Sequence, residues 1–175
     1  MKDIKKLAIT ALFTALTCVA TMSIRIPTPG TGGYIHPGDA LVILSGIYLG
    51  PVYGFFAAGV GSALSDLFGG YLLYAPITLA VKGLIALCTA LAYKKIAANN
   101  TITLKYIGVV AGGIFDIIFV SGGYFLFEYV IYKSGAFASV IPNVIQGCGG
   151  LVISLLLYSA LSAIPEFRKL GTVKQ

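Results

Sequence analysis

Residues 39–66 read DALVILSGIYLGPVYGFFAAGVGSALSD, and the division of this stretch decides the fold. Between Asp39 and Asp66 it carries no charge. Three readings are open: one tilted helix, two helices meeting at a break, or a re-entrant hairpin. Gly50-Pro51 speaks for a break, because that dipeptide is a strong turn signal. Both halves would then be short against the roughly twenty residues needed to span a bilayer core.

The rest of the chain must choose among these readings. Of its 175 residues, 58% are hydrophobic and only 10% are charged. A soluble domain carries about 25% charged residues. The composition therefore excludes an ordinary soluble globular protein. It also excludes intrinsic disorder, which needs low hydrophobicity and high charge. The 22 glycines suit membrane helices. One domain, 1–175, accounts for the whole chain.

Further apolar runs lie at 4–24, 76–93, 106–132 and 139–164. The first begins like a signal peptide, but its apolar part is longer than the usual signal core and Cys18 sits in no lipobox, so it reads as a retained helix. Residues 25–39 hold Pro27, Pro29 and Pro37 around a Gly-rich centre and read as a loop. Residues 168–175 read as a polar tail. The net charge of +6 is concentrated in three clusters: Lys2, Lys5 and Lys6; Lys94, Lys95 and Lys105; Arg168, Lys169 and Lys174. Each flanks an apolar run, which is the positive-inside pattern and not a nucleic-acid stripe. A broken 39–66 stretch gives six helices and puts all three clusters on one side. An unbroken one gives five and splits the clusters. The expectation is an all-α integral membrane protein with six transmembrane helices and both termini cytoplasmic; a re-entrant hairpin would preserve the same parity.

Polar side chains inside membrane segments are costly and are functional candidates by default. In the six-helix reading, Asp39 and Asp66 stand at the outer ends of their helices. Lys82 lies about 9 Å below the outer end of its own helix at 1.5 Å per residue. Glu128 is near the outer end of the next, with Tyr124 one turn below. Asn143 and Gln146 share a face of the last helix, about 6 and 10 Å down. The inner halves are almost purely apolar, with Asp116 as the deep exception. This describes an outward cup closed below. Its lid is the loop 27–36, carrying Tyr34 and His36, with Tyr71 and Tyr74 from the next outer loop. The 21 Tyr and Phe residues offer rings that stack on a flat heterocycle. Each residue also has a plainer role open to it. Asp39 is placed to cap its helix. Lys82 can pair with Asp66 or Asp116. Asn143 and Gln146 can bridge helices. Glu128 can be a solvated end.

No nucleotide-binding Gly-x-x-x-x-Gly-Lys-Ser/Thr run, zinc-protease His-Glu-x-x-His or Gly-x-Ser-x-Gly elbow occurs in the sequence. One histidine makes no metal site. Cys18, Cys88 and Cys148 stand alone in apolar runs and read as buried small hydrophobes, not as disulfides or zinc ligands. No cofactor and no enzymatic activity is expected. In the first helix, Ala8, Ala11 and Ala15 form a small-residue face that admits a second helix closely. It serves either internal packing or docking of a separate membrane subunit.

The chain resembles the substrate-binding S components of energy-coupling factor (ECF) vitamin transporters. The residues that carry the likeness are the basic start with Ala11-x-x-x-Ala15, the stretch YIHPGDALVILSGIYLG at 34–50, its continuation to Pro76, and Lys82-Gly83. Among members it is most similar to those for hydroxymethylpyrimidine or pyridoxine, with pantothenate and riboflavin also open. The resemblance implies a multi-pass protein of a prokaryotic cell membrane that binds a small vitamin at the outer face. It further implies partnership with a membrane T subunit, docked at Ala11 and Ala15, and with two ATPases that supply the ATP hydrolysis. A stand-alone secondary transporter or channel, or an intramembrane enzyme using Asp39, Asp66 or Glu128, are the competing classes.

Overall fold

The computed structural model describes residues 2–28 and 30–170. Pro29 and the tail 171–175, including Lys174, lie outside the described residues, as do the side chains of Lys2 and Lys169. The long helices are α1 (Lys2–Ser23), α2 (Asp39–Gly69), α3 (Ala75–Ile96), α4 (Ile102–Tyr132) and α5 (Phe137–Ser162). A 3-10 turn, Lys133–Ala136, joins α4 to α5. A short α6, Pro165–Leu170, follows α5 and takes in the start of the stretch read as a polar tail, 168–175. Two-residue strands, β1 (Ile26–Pro27) and β2 (Tyr34–Ile35), pair antiparallel in the loop before α2. They are the sole departure from an all-α fold among the described residues.

α2 breaks where Gly50-Pro51 said it would. Gly50 has φ 78° and ψ −176°, a conformation open in practice to glycine alone. Pro51 then starts the second half, with no N–H to leave unsatisfied. The halves fold back on one another. A Cβ on Gly54 would sit 2.9 Å from the Gly46 Cα, whereas residues eight apart in a straight helix are about 12 Å apart. Gly46 and Gly54 have no side chain, and this lets the two backbones touch. The reversal returns Asp66 to the end of the bundle where Asp39 began. Gly70 closes the second half in the left-handed region at φ 83°, and the Tyr71 N–H donates to the Asp66 carbonyl at 2.8 Å.

The remaining contacts show rods running alternately up and down. α4 and α5 are antiparallel, since Gly113 meets Leu151 and Gly147 meets Ile117. α3 and α4 are antiparallel too, with Gly108 against Tyr93 and Gly123 against Val81. Pro76 in the first turn of α3, and Lys94 and Lys95 in its last, fit the helix ends they occupy. At 31 residues, α4 is about 46 Å long, more than the roughly 30 Å hydrocarbon thickness.

Burial is inverted relative to a soluble protein. Leu12, Val19, Phe56, Leu91, Ile118, Leu126, Val152 and Leu156 are exposed, while Asp39, Lys82, Asp116 and Glu128 are buried. Four helical stretches, Ile4–Ser23, Asp39–Gly69, Ala75–Ile96 and Ile102–Ser162, are long and apolar enough to cross a membrane. The last of these contains both α4 and α5. All three cysteines are free, but Cys148 is exposed on the outside of α5, not buried as its apolar surroundings suggested. The interior divides into two apolar clusters. One, around Tyr74, Val81, Val120 and Tyr124, lies under the polar end. The other, around Phe13, Ile43, Tyr48, Tyr93 and Tyr158, fills the opposite end.

Candidate ligand-binding site

The β1–β2 loop folds over the end of the bundle where Asp39, Asp66 and Glu128 gather. Beneath it is a small pocket, open at its mouth. Eight of the eleven anticipated residues line it: Tyr34, His36, Asp66, Tyr74, Tyr124, Glu128, Asn143 and Gln146. Thr28, Gly33 and Thr78 complete the wall. The sequence reading passed over all three. Thr78 was findable, because it lies one turn before Lys82 on the same face of α3; Thr28 and Gly33 arrive by the fold of the loop.

Asp39, Lys82 and Tyr71 do not line the cavity. Asp39 and Lys82 form an ion pair with each other behind the wall, both fully buried. Neither Asp66 nor Asp116 is the partner of Lys82, and Asp39 makes no cap bond; the residue at the α2 cap is Gly38. The pairing follows from the direction of the first half of α2, which runs alongside α3 instead of against it. Gln146 Nε2 donates to Asp39 Oδ2 at 2.7 Å, and Gln146 Oε1 accepts from the His36 backbone N–H at 3.0 Å. The buried pair is thereby tied through one amide to the loop over the cavity. The Lys82 ammonium also lies 5.6 Å from the centre of the Tyr124 ring, a cation–π distance.

Two carboxylates face the cavity, each held by tyrosine. Tyr34 donates to Asp66 Oδ1 at 2.6 Å, leaving Asp66 Oδ2 without a partner. Tyr74 donates to Glu128 Oε1 at 3.0 Å, and Ser139 donates to Oε2. Tyr124 donates to Thr78 Oγ1 at 2.9 Å. Burial, reinforced by the bond to Asp66, raises the Tyr34 phenol above its ordinary range, so it remains a donor. Burial together with the Glu128 charge does the same for Tyr74. Tyr71 stacks on Tyr34 from outside, ring centres 4.4 Å apart. Arg25, also unanticipated, lies against both rings and donates to the Ser65 carbonyl at 2.8 Å, clamping the loop to α2.

His36 Nδ1 accepts the Gly38 N–H at 3.1 Å. Burial pushes its pKa down to about 4; the Asp39 charge opposes this and the Lys82 and Arg25 charges add to it. It is therefore a neutral acceptor at pH 7. The wall offers carboxylate, amide and aromatic groups, and no Lys or Arg among the described residues lines it. Such a wall suits a neutral or cationic ligand rich in N–H or O–H donors. Below the Asp39–Lys82 pair, Ile43, Leu44, Ile47 and Val109 close the interior.

Ala8, Ala11 and Ala15 are exposed along α1, away from the internal packing of Phe13 and Thr17. Internal packing therefore does not explain the small-residue face.

Similarity to known proteins agrees with this architecture. Residues 1–163 match the family described as ECF-type riboflavin transporter, S component. An uncharacterized protein of Pyrococcus woesei is 37% identical over 136 residues, 77% of this chain and 86% of that protein. Among solved structures, the S component for biotin from an ECF-type ABC transporter superposes with a TM-score of 0.71 at 17% identity, over 98% of this chain and 97% of the other. The S component of a bacterial ECF transporter superposes at 0.65 and 22% identity, over 92% and 97%. At those identities the superpositions speak for the fold alone. With nearly its whole length matched, the chain belongs to the family of ECF-type riboflavin transporter S components, transport subunits and not enzymes.

Proposed function

We propose that this chain captures a small, single-ring, water-soluble vitamin or vitamin precursor at the outer face of a prokaryotic cell membrane, with hydroxymethylpyrimidine or pyridoxine the favoured substrates. The observation that carries this reading is the cavity itself. Its two carboxylates, Asn143 and Gln146 call for a ligand that donates hydrogen bonds, and Tyr34, Tyr74 and Tyr124 supply ring faces. An amino- or hydroxymethyl-substituted ring meets both demands. The family description favours a second reading, riboflavin, whose hydroxylated side chain also donates. A fused three-ring system asks for more space under the β1–β2 loop than a single ring does.

In this reading the two halves of α2 count separately and the chain crosses six times, with both termini cytoplasmic. The basic clusters support that orientation. The exposed alanine face of α1 docks the T subunit, and two ATPases complete the importer. Calorimetric titration of detergent-solubilised protein with hydroxymethylpyrimidine, pyridoxine, riboflavin and biotin tests the reading. One-to-one binding of a single-ring vitamin, weakened in Asp66→Asn and Asn143→Ala, supports it. Tight binding of riboflavin with no single-ring binding replaces the substrate. Binding of none of them removes the cavity from consideration as a vitamin site.

A further inference from the structure

The opposite end of the bundle holds a second cavity, about 230 Å³, that the vitamin site does not use. The first half of α2, the start of α4, the end of α5 and α6 enclose it. Tyr48, Tyr158 and Phe167 form aromatic walls; Tyr48 and Tyr158 stack with centres 6.0 Å apart, and Phe167 meets Tyr48 edge-on at 5.4 Å. Lys105 and Arg168 stand at it, and no carboxylate lines it among the described residues. Tyr48 lines the space on a side chain 5% exposed, and its buried hydroxyl has no hydrogen-bond partner. The neighbouring hydroxyls are already engaged: Tyr158 with Tyr93 at 2.8 Å and Ser162 with the Ser159 carbonyl at 2.9 Å.

A buried hydroxyl left without a partner costs stability, and this one belongs to the wall of a space that Lys105 and Arg168 also line. A phosphate suits this wall, taking charge-assisted bonds from the ammonium and guanidinium and giving the phenol the acceptor it lacks. Exposed Ile102 and Ile164 border the same end, so an acyl chain leaving the cavity would find apolar surface. Basic pockets between helices at a cytoplasmic membrane face are suited to anionic headgroups. We propose that this cavity is a binding site for the phosphate of an anionic lipid headgroup, seated between Lys105, Arg168 and Tyr48. It stands independently of which vitamin the other end takes.

Native mass spectrometry of the full chain, in detergent with phosphatidylglycerol, phosphatidylcholine or inorganic phosphate, tests it. The expected result is one retained phosphatidylglycerol per chain, a higher melting temperature, and little retention of net-neutral phosphatidylcholine. Retention should fall about tenfold or more in Lys105→Gln, the loss of one charge-assisted contact, and less in Tyr48→Phe. Both variants keep the distant Asp39–Lys82 network, so ligand-free melting within a few degrees of the parent verifies folding. If inorganic phosphate displaces the lipid, or binds with the same dependence on Lys105 and Tyr48, phosphate recognition stands and a soluble source is added. Equal retention of both lipids, or retention unaffected by Lys105→Gln and Arg168→Gln together, overturns the proposal.

Discussion

The Lys82–Asp39 pair predicts a separation of stability from binding that a ligand-contacting lysine would not show. Both side chains are fully buried. In Lys82→Met, Asp39 keeps only the Gln146 amide, with the Asp116 carboxyl close by: a Cβ on Gly150 would lie 2.8 Å from the Asp39 Cβ and 3.0 Å from Asp116 Oδ2. Removing one partner of a buried pair costs about 3–5 kcal/mol. The double variant Lys82→Met/Asp39→Leu removes both charges and should recover most of that loss, since an apolar replacement of a buried pair is often neutral. Binding should behave differently. Gln146 holds the His36 N–H, and Asp39 holds Gln146. Only the double variant frees that amide, so it should lose about ten- to hundredfold in affinity, about 1.4–3 kcal/mol, while Lys82→Met keeps the Asp39–Gln146 bond and should lose less. Chemical denaturation in detergent and calorimetric titration give the two quantities. If Lys82→Met keeps its stability within about 1 kcal/mol yet loses all binding, Lys82 touches the ligand directly and the supporting role is refuted.

Gly50→Ala should destabilise the protein by about 1–3 kcal/mol, because φ 78° with ψ −176° is a glycine conformation; denaturation midpoints unchanged from the parent would show that the reversal at Gly50 tolerates a side chain. His36, with its folded pKa near 4 against about 6.5 unfolded, binds fewer protons when folded, so stability is complete above pH 6.5 and falls toward pH 4 by up to about 3 kcal/mol. His36→Gln should flatten the profile in that window, and an identical acid response in the variant would place the titration elsewhere. Ala11→Leu/Ala15→Leu alters an exposed face and should abolish co-purification with the T subunit while vitamin affinity stays within about twofold of the parent, since Leu is a good helix former; loss of affinity with co-purification intact would reverse that assignment. The Asp116 carboxyl lies beside Asp39 with neither oxygen in a well-formed hydrogen bond, so Asp116→Leu should change thermal stability by less than about 1 kcal/mol; a clear loss would show that its contact with Asp39 stabilises the fold.

The helices were legible because apolar runs and basic flanks are local signals. The break in α2 was legible too, because Gly50-Pro51 has a backbone meaning that does not depend on the partner helix. Depth along each helix was enough to group Asp66, Glu128, Asn143, Gln146, Tyr74 and Tyr124 at one end. Depth does not give azimuth. It placed Lys82 at the right level but could not say that the ammonium turns toward the first half of α2 and away from the cavity. That choice depends on the first half of α2 lying alongside α3, which follows from how tightly Gly54 approaches Gly46. The clamp by Arg25 was illegible for a related reason. A cation just after a basic-flanked helix reads as a boundary charge until the loop folds back and brings Tyr34 and Tyr71 against it.

The chain reversal at Gly50 links the fold to the chemistry of the site. It returns the segment to the end where it began, so Asp39 and Asp66, at opposite ends of one uncharged sequence stretch, arrive on the same floor of the bundle. They then take different work. Asp39 faces α3, meets Lys82 and is neutralised within the apolar interior. Asp66 faces the cavity, keeps one oxygen free and is fixed by Tyr34 from the loop. A straight helix of the same sequence would separate the two carboxylates by about 40 Å and leave each without its partner. The glycine conformation at a single position is therefore what allows a mostly apolar chain to build a polar site at one end and keep the middle dry.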